Sequence, residues 1–149
     1  MLACAAVLAA TLAVGCGGGS VSDLPDASPD ASSDGLCIRA LRAGGEFACA
    51  LKADGTVWCW GDNDFAEMGQ RGDLLQPTPT PVPGLGAVIA VAAGGAHACA
   101  LVADGAVWCW GANDAGQLGD GTRTGEVCGN PGAPSACRFA PVRAELLCP

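Results

Sequence analysis

Apolar residues fall into three regimes along the chain. From Leu2 to Val14 they run on without a charge. From Gly17 to Gly35 only Val21 and Leu24 are aliphatic among Gly, Ser, Pro, Ala and Asp, and beyond Ile38 short apolar runs alternate with Gly- and Pro-containing breaks. The third regime repeats. Ala43-Gly44-Gly45 recurs as Ala93-Gly94-Gly95, and the string CALxADGxVWCWGxND occupies 49–64 and again 99–114, an offset of 50 residues without a gap. A period of that length, made of short strands and Gly-rich turns, indicates a propeller or similar array in which each repeat is one supersecondary unit.

Each unit contains a hairpin whose register follows from its loop. Phe47–Lys52 and Thr56–Trp60 flank Ala53-Asp54-Gly55, a three-residue loop with Gly at the position that needs φ > 0. Closing Lys52 on Thr56 sets Cys49 opposite Cys59, Leu51 opposite Val57, Ala50 opposite Trp58 and Ala48 opposite Trp60. The cysteines then fall on a non-hydrogen-bonded pair, where α-carbons approach to about 4.5 Å. That is the short end of the disulfide range, so a cross-strand bridge is feasible. Cys99 and Cys109 repeat the arrangement. On the other face small Ala residues make room for the indoles across the strand pair. Both faces are apolar, as for a blade held between two others. Ile38–Arg42 and Val88–Ala92 are the predicted preceding strands. Thr80–Pro83 and Ala140–Ala144 are the predicted outer strands, where Pro is tolerated at an edge. The expected fold is all-β: two blades of a β-propeller, each of four antiparallel strands, in an incomplete ring. The first repeat is placed at 37–87 and the second at 88–149.

Charge and cysteine content narrow the setting. Lys+Arg 7 against Asp+Glu 15 gives a formal charge of −8, which argues against nucleic acid, since phosphate binding needs clustered Lys and Arg. Ten Cys with one His suggest disulfides and an oxidising compartment. The N-terminal apolar run is shorter than the roughly 20 residues that span a bilayer but suits a signal peptide, 1–15. Leu12-Ala13-Val14-Gly15-Cys16 resembles the bacterial lipobox, which implies lipidation of Cys16 after cleavage. No Lys or Arg precedes the apolar run, a departure from that pattern. Residues 16–36 then read as a flexible acidic tether, too poor in apolar residues to offset ordering entropy. Its four Asp are separated by Pro25 and Pro29, which break the geometry a calcium loop requires.

The repeat residues resemble the regulator-of-chromosome-condensation repeat family. Its blades carry a Gly-Gly-x-His start, an Asp-Gly hairpin and an aromatic-x-Trp-Gly-x-Asn-x-x-Gly-Gln-Leu-Gly run. The second unit matches with Gly94-Gly95-Ala96-His97, Asp104-Gly105 and Trp108 through Gly119. The first departs at Phe47, which replaces the His, and at Phe65-Ala66-Glu67-Met68-Gly69. The paired hairpin cysteines resemble the secreted bacterial branch. The resemblance implies propeller blades, which in the family usually close seven to a ring. Two blades would leave apolar faces in water, so the chain is expected to be an N-terminal fragment of a longer product or to assemble with copies of itself. Arg143 to Pro149 runs into the place where another Gly-Gly-x-His would begin, which favours the fragment.

Other constellations have simpler readings. Cys128 and Cys137 bracket a Pro/Gly-rich insert absent from the first unit, and a bridge closing it would contribute about 2–3 kcal/mol. Cys37 and Cys148 are unassigned: they pair with each other or with blades outside this sequence. Structural zinc is disfavoured, because no C-x2-C spacing occurs. His97 lacks a nucleophile and an orienting acid and is read as a packing residue. Asp54 and Asp104 are turn formers before Gly. Arg71-Gly72-Asp73 spells the tripeptide read by integrins, a match frequent by chance, and Asp62-Asn63-Asp64 is better explained by turn chemistry than by calcium.

The expectation is therefore a non-enzymatic lipoprotein with no cofactor and no metal. It is held in the envelope or on the surface of a Gram-negative-type bacterium, touches membrane only through its lipid, and binds an unidentified protein through propeller loops. The alternatives are guanine-nucleotide exchange, which the resemblance implies by fold analogy alone, and inhibition of a secreted enzyme.

Overall fold

The Ala-Asp-Gly loops organise two antiparallel sheets in the computed structural model, which describes residues 37–129 and 134–145. The first sheet runs in sequence order from β1 (Ile38–Ala43) and β2 (Phe47–Lys52) to β3 (Val57–Asp62) and β4 (Leu75–Pro81). The second contains β5 (Val88–Ala93), β6 (His97–Val102), β7 (Val107–Ala112), β8 (Glu126–Cys128) and β9 (Ser135–Arg143), in the order β5-β6-β7-β9-β8. No helix occurs among the described residues. The signal-peptide, lipidation and tether segments, and Cys148, lie outside them.

The hairpin register is the one the loops dictate. Ala48, Cys49, Ala50 and Leu51 face Trp60, Cys59, Trp58 and Val57, and the second hairpin repeats this fifty residues on. Lys52 N–H donates to the Thr56 carbonyl at 2.9 Å, and Gly55 supplies the turn at φ 83°. Two expectations need correction. The outer strands start earlier than Thr80 and Ala140, because Pro77, Pro79 and Pro81 lie on an edge where no N–H is required. The second sheet has five strands rather than four, since the insert folds back and β8 pairs with the start of β9.

The sheets stack with unlike faces together. The bridged face of the first presents Cys49, Leu51, Val57 and Cys59, and the alanine–indole face of the second presents Ala98, Ala100 and Trp110; with Val88 and Val91 they form one core cluster. Backbones meet at the seam. Gly45 N–H donates to the Gly95 carbonyl at 2.9 Å and Val88 N–H to the Gly55 carbonyl at 3.1 Å. A Cβ on Gly45 would come within 2.7 Å of that Gly95 oxygen, so the seam leaves no room for a side chain at this position.

Candidate functional site

The feature that distinguishes the second repeat is its insert, and the structure builds it into an outer hairpin. Glu126, Val127 and Cys128 pair with Cys137, Ala136 and Ser135, and a Cys128–Cys137 disulfide joins the two strands. Residues 130–133 at its tip lie outside the described set. The base of the hairpin is clamped to the first repeat. Gly129 N–H donates to the Asp64 carbonyl at 2.8 Å. The Arg71 guanidinium lies 4.1 Å from the Phe139 ring centroid and 3.8 Å from Glu126 Oε1. Ala66, Cys128 and Cys137 are buried together, with Phe65 and Phe139 packed against them.

This clamp leaves the outermost strand available. Val127 is 76% exposed, and β8 is an edge strand. The corresponding edge of the first sheet, β4, carries prolines at three of its seven positions, so it cannot offer a regular row of donors. β8 has none. The insert therefore presents an unblocked edge and an apolar side chain on a base fixed by a disulfide, a backbone hydrogen bond and a cation–π contact.

Inward of the insert, one asparagine per repeat organises the loop after the second hairpin strand. Asn63 Oδ1 accepts from Met68 N–H at 3.1 Å while its Nδ2 donates to the Asp73 carbonyl at 3.1 Å. Asn113 Oδ1 accepts from Leu118 N–H at 3.3 Å, and its amide donates to Asp120 and Thr122. Both asparagines are buried, which gives the Asp62-Asn63-Asp64 stretch a turn-forming role. Arg138 grips Asp120 through Nε at 2.9 Å and a second nitrogen at 2.7 Å. Burial raises the Asp120 carboxyl, but hydrogen bonds from Thr122 and Arg138 outweigh it and hold the group down at about 2.

Glu67 is a residue that sequence reasoning passed over. It stands where the second repeat has Gln117, and it is buried in the seam. Its Oε2 accepts from Phe65 N–H at 2.9 Å, and its backbone carbonyl accepts from Trp110 Nε1 at 2.7 Å. Burial, followed by the nearby Asp62 and Asp64 charges, pushes its carboxyl up from 4.5 to about 7. The only sequence signal is the Glu-for-Gln mismatch between the repeats.

The remaining candidates take structural positions. Cys49 is bonded to Cys59 and Cys99 to Cys109, each pair with α-carbons 4.1 Å apart. Cys37 is also disulfide-bonded and belongs to none of the three described pairs. The His97 ring covers Gly94 as Phe47 covers Gly44, and burial lowers its pKa. Asp54 accepts from Thr56 N–H and Oγ at the hairpin turn. Arg71-Gly72-Asp73 is exposed, with the Arg71 guanidinium resting over the Phe139 ring. Among the described residues, no three His, Cys, Asp or Glu side chains converge as metal ligands.

Antiparallel sheets that share a four-stranded core, stacked with unlike faces and each built on the same hairpin, define β-propeller blades. Models of the regulator of chromosome condensation (RCC1) repeat match residues 54–101 and 104–147, and a second model of that repeat matches 38–67 and 88–117; the chain belongs to the RCC1 repeat family. The E3 ubiquitin-protein ligase HERC2 of Homo sapiens is 34% identical over 72 residues, covering 48% of this chain and 1% of HERC2, and the Mus musculus protein matches equally. Prp20p of Saccharomyces cerevisiae, whose crystal structure was described with its binding to Gsp1p and histones, superposes with a TM-score of 0.62 at 23% identity, over 80% of this chain and 27% of Prp20p. Human WBSCR16 superposes with a TM-score of 0.52 at 21% identity, over 71% and 24%. The chain thus spans about a quarter of these solved chains and about 1% of HERC2.

Proposed function

We propose that this chain is an extracytoplasmic bacterial lipoprotein, tethered through Cys16, whose propeller repeats act as a non-catalytic scaffold that captures a protein through the β8–β9 insert. The single observation that carries the binding role is the clamped insert, which leaves β8 and Val127 open while its base is fixed. Rigidly based loops on a sheet scaffold commonly carry recognition. A fixed base also reduces the ordering cost of association. An extended partner segment could add to the β8 edge, as in strand-addition recognition.

Three disulfides among the described residues favour an oxidising compartment. No helix of the described residues is long and apolar enough to cross a membrane, and the lipobox-like Cys16 is the anchor in this reading. The Gsp1p and histone binding of Prp20p is not carried over, because likeness at that identity concerns the fold alone. The test shortens the insert. Replacing residues 129–136 with a short glycine linker should abolish capture of an envelope or extracellular protein while the thermal transition is retained. Unchanged capture would refute the insert as the contact surface.

A further inference from the structure

We propose that the loop joining β3 to β4 is a proton-operated latch, which holds the base of the β8–β9 insert while the Glu67 carboxyl is neutral and loosens that hold when the carboxyl ionises. The latch consists of contacts within the chain and needs no partner. That it would regulate capture rests on the binding role proposed for the insert.

The loop meets the second repeat at three places. The Asp64 carbonyl accepts Gly129 N–H at 2.8 Å, at the base of the insert. Ala66 is fully buried with Cys128 and Cys137, the two cysteines of that insert. The Glu67 carbonyl accepts Trp110 Nε1 at 2.7 Å. Between the first and last of these contacts the backbone is pinned by one side chain, since Glu67 Oε2 accepts from Phe65 N–H at 2.9 Å.

The two repeats differ in this loop at the positions that matter. The first has Asp62, Ala66 and Glu67 where the second has Ala112, Gly116 and Gln117. Ala66 sits at φ 67°, in the left-handed region that Gly116 occupies at φ 76°. A side chain is disfavoured there, so the conformation persists only while its surroundings hold it. Gln117 secures its own loop with both ends of its amide, accepting from Ala115 N–H at 2.9 Å and donating to Asp114 at 3.1 Å. A neutral Glu67 has the same two functions, an acceptor for Phe65 and an O–H donor. Ionised, it loses the donor and becomes a charge at a site 2% exposed. Burial and the Asp62 and Asp64 charges raise the carboxyl to about 7, so the change of state falls near neutrality.

The charges around the latch favour its release. Glu46, at the turn between β1 and β2, adds to the negative field on Asp62, and Asp73 at the end of the loop is exposed. On the other side β7, which brings Trp110 to the loop, carries no charged residue. Glu126 of β8 and Arg138 of β9 are engaged by Arg71 at 3.8 Å and Asp120 at 2.7 Å. Arg143 lies opposite Trp108 at the far end of β9, and His97 of β6 turns onto Gly94. Ionisation of Glu67 therefore sets it against Asp62 and Asp64 beneath the insert.

The test is hydrogen exchange read by NMR on the oxidised full chain carrying Cys16→Ser, near pH 4.5 and near pH 8, corrected for the intrinsic pH dependence of exchange. Gly129 N–H and Trp110 Nε1–H report the latch. Val102 N–H, bonded to the Ala106 carbonyl at 2.9 Å at the far end of its hairpin, is the control. Protection at Gly129 and Trp110 should fall about tenfold or more between the two conditions, within the roughly 300-fold that a carboxyl raised from 4.5 to about 7 can supply, and by more than at Val102. Glu67→Gln should keep both probes protected at both pH values, and Asp62→Ala should shrink the fall. Equal protection at the two pH values in the parent, a fall at Val102 as large as at Gly129, or a fall that persists in Glu67→Gln would each overturn the latch. No partner is present in these samples, so the result bears on the latch alone and not on whether the insert binds.

Discussion

Replacing Glu67 with Gln isolates the one carboxyl buried in the seam among the described residues. Glu67 is 2% exposed. Its counterpart Gln117 accepts from Ala115 N–H at 2.9 Å and donates from Nε2 to Asp114 at 3.1 Å. Glu67 keeps the acceptor role, through Phe65 N–H, but has no amide to offer Asp64 and faces it as a like charge. A carboxyl raised from 4.5 to about 7 binds more protons folded than unfolded between those values. Its stability contribution is therefore intact below about 4.5, falls as pH rises to about 7, and is level beyond. At 1.36 kcal/mol per pH unit the window amounts to at most about 3 kcal/mol. Screening by water around the half-exposed Asp62 and Asp64 reduces it to about 1–2 kcal/mol. Glu67→Gln removes the charge and supplies the missing donor. Urea unfolding followed by tryptophan fluorescence should show the variant more stable by that amount near pH 8, with no gain near pH 4.5. An equal difference at both pH values, or a loss near pH 8, would refute the reasoning.

Further outcomes follow from the same structure. Replacing Cys49 and Cys59 together by Ala opens a loop of sequence separation 10 and should lower stability by about 2–3 kcal/mol, read as a shift of the urea midpoint under oxidising conditions that keep the other bridges closed. Trp110→Ala should cost about 3–5 kcal/mol, because the indole is fully buried and donates to the Glu67 carbonyl; Trp58→Ala, at a half-buried site, should cost clearly less, and equal losses would contradict the stacking. Asp120 is held below its ordinary value, so its contribution is present above about 3.8 and is lost as pH falls through about 2. Asp120→Asn should remove that acid dependence, as measured by thermal melts on the acid side. In the lipoprotein reading, Cys16→Ser should release the protein from the membrane fraction into the soluble envelope fraction.

The hairpins were legible because two local facts over-determined them. The Ala-Asp-Gly loops fix the turn, and the repeated string fixes which residues are equivalent, so the pairing of Cys49 with Cys59 and of Ala50 with Trp58 was readable before any tertiary contact. The outer strands were less legible, since a proline-bearing strand such as Leu75–Pro81 carries no alternation and is defined by what β3 offers it. β8 was invisible for a related reason: three residues, Glu126 to Cys128, have no periodicity of their own and take their form from pairing with β9. The insert was marked by its cysteines, but its clamp was not, because Arg71 meets Phe139 only through the stacking of one repeat on the other. Glu67 belongs to the same class. Its burial comes from the neighbouring repeat and not from its own loop.

Capture of a partner by the β8–β9 insert is open to a direct test. A photoreactive side chain at Val127 in the native, membrane-associated protein tests this in place, with one at exposed Arg39 as the comparison. The prediction is a discrete protein adduct from position 127 that is absent from position 39 and disappears when residues 129–136 are shortened. No adduct at 127, or the same adduct at both positions, would contradict it.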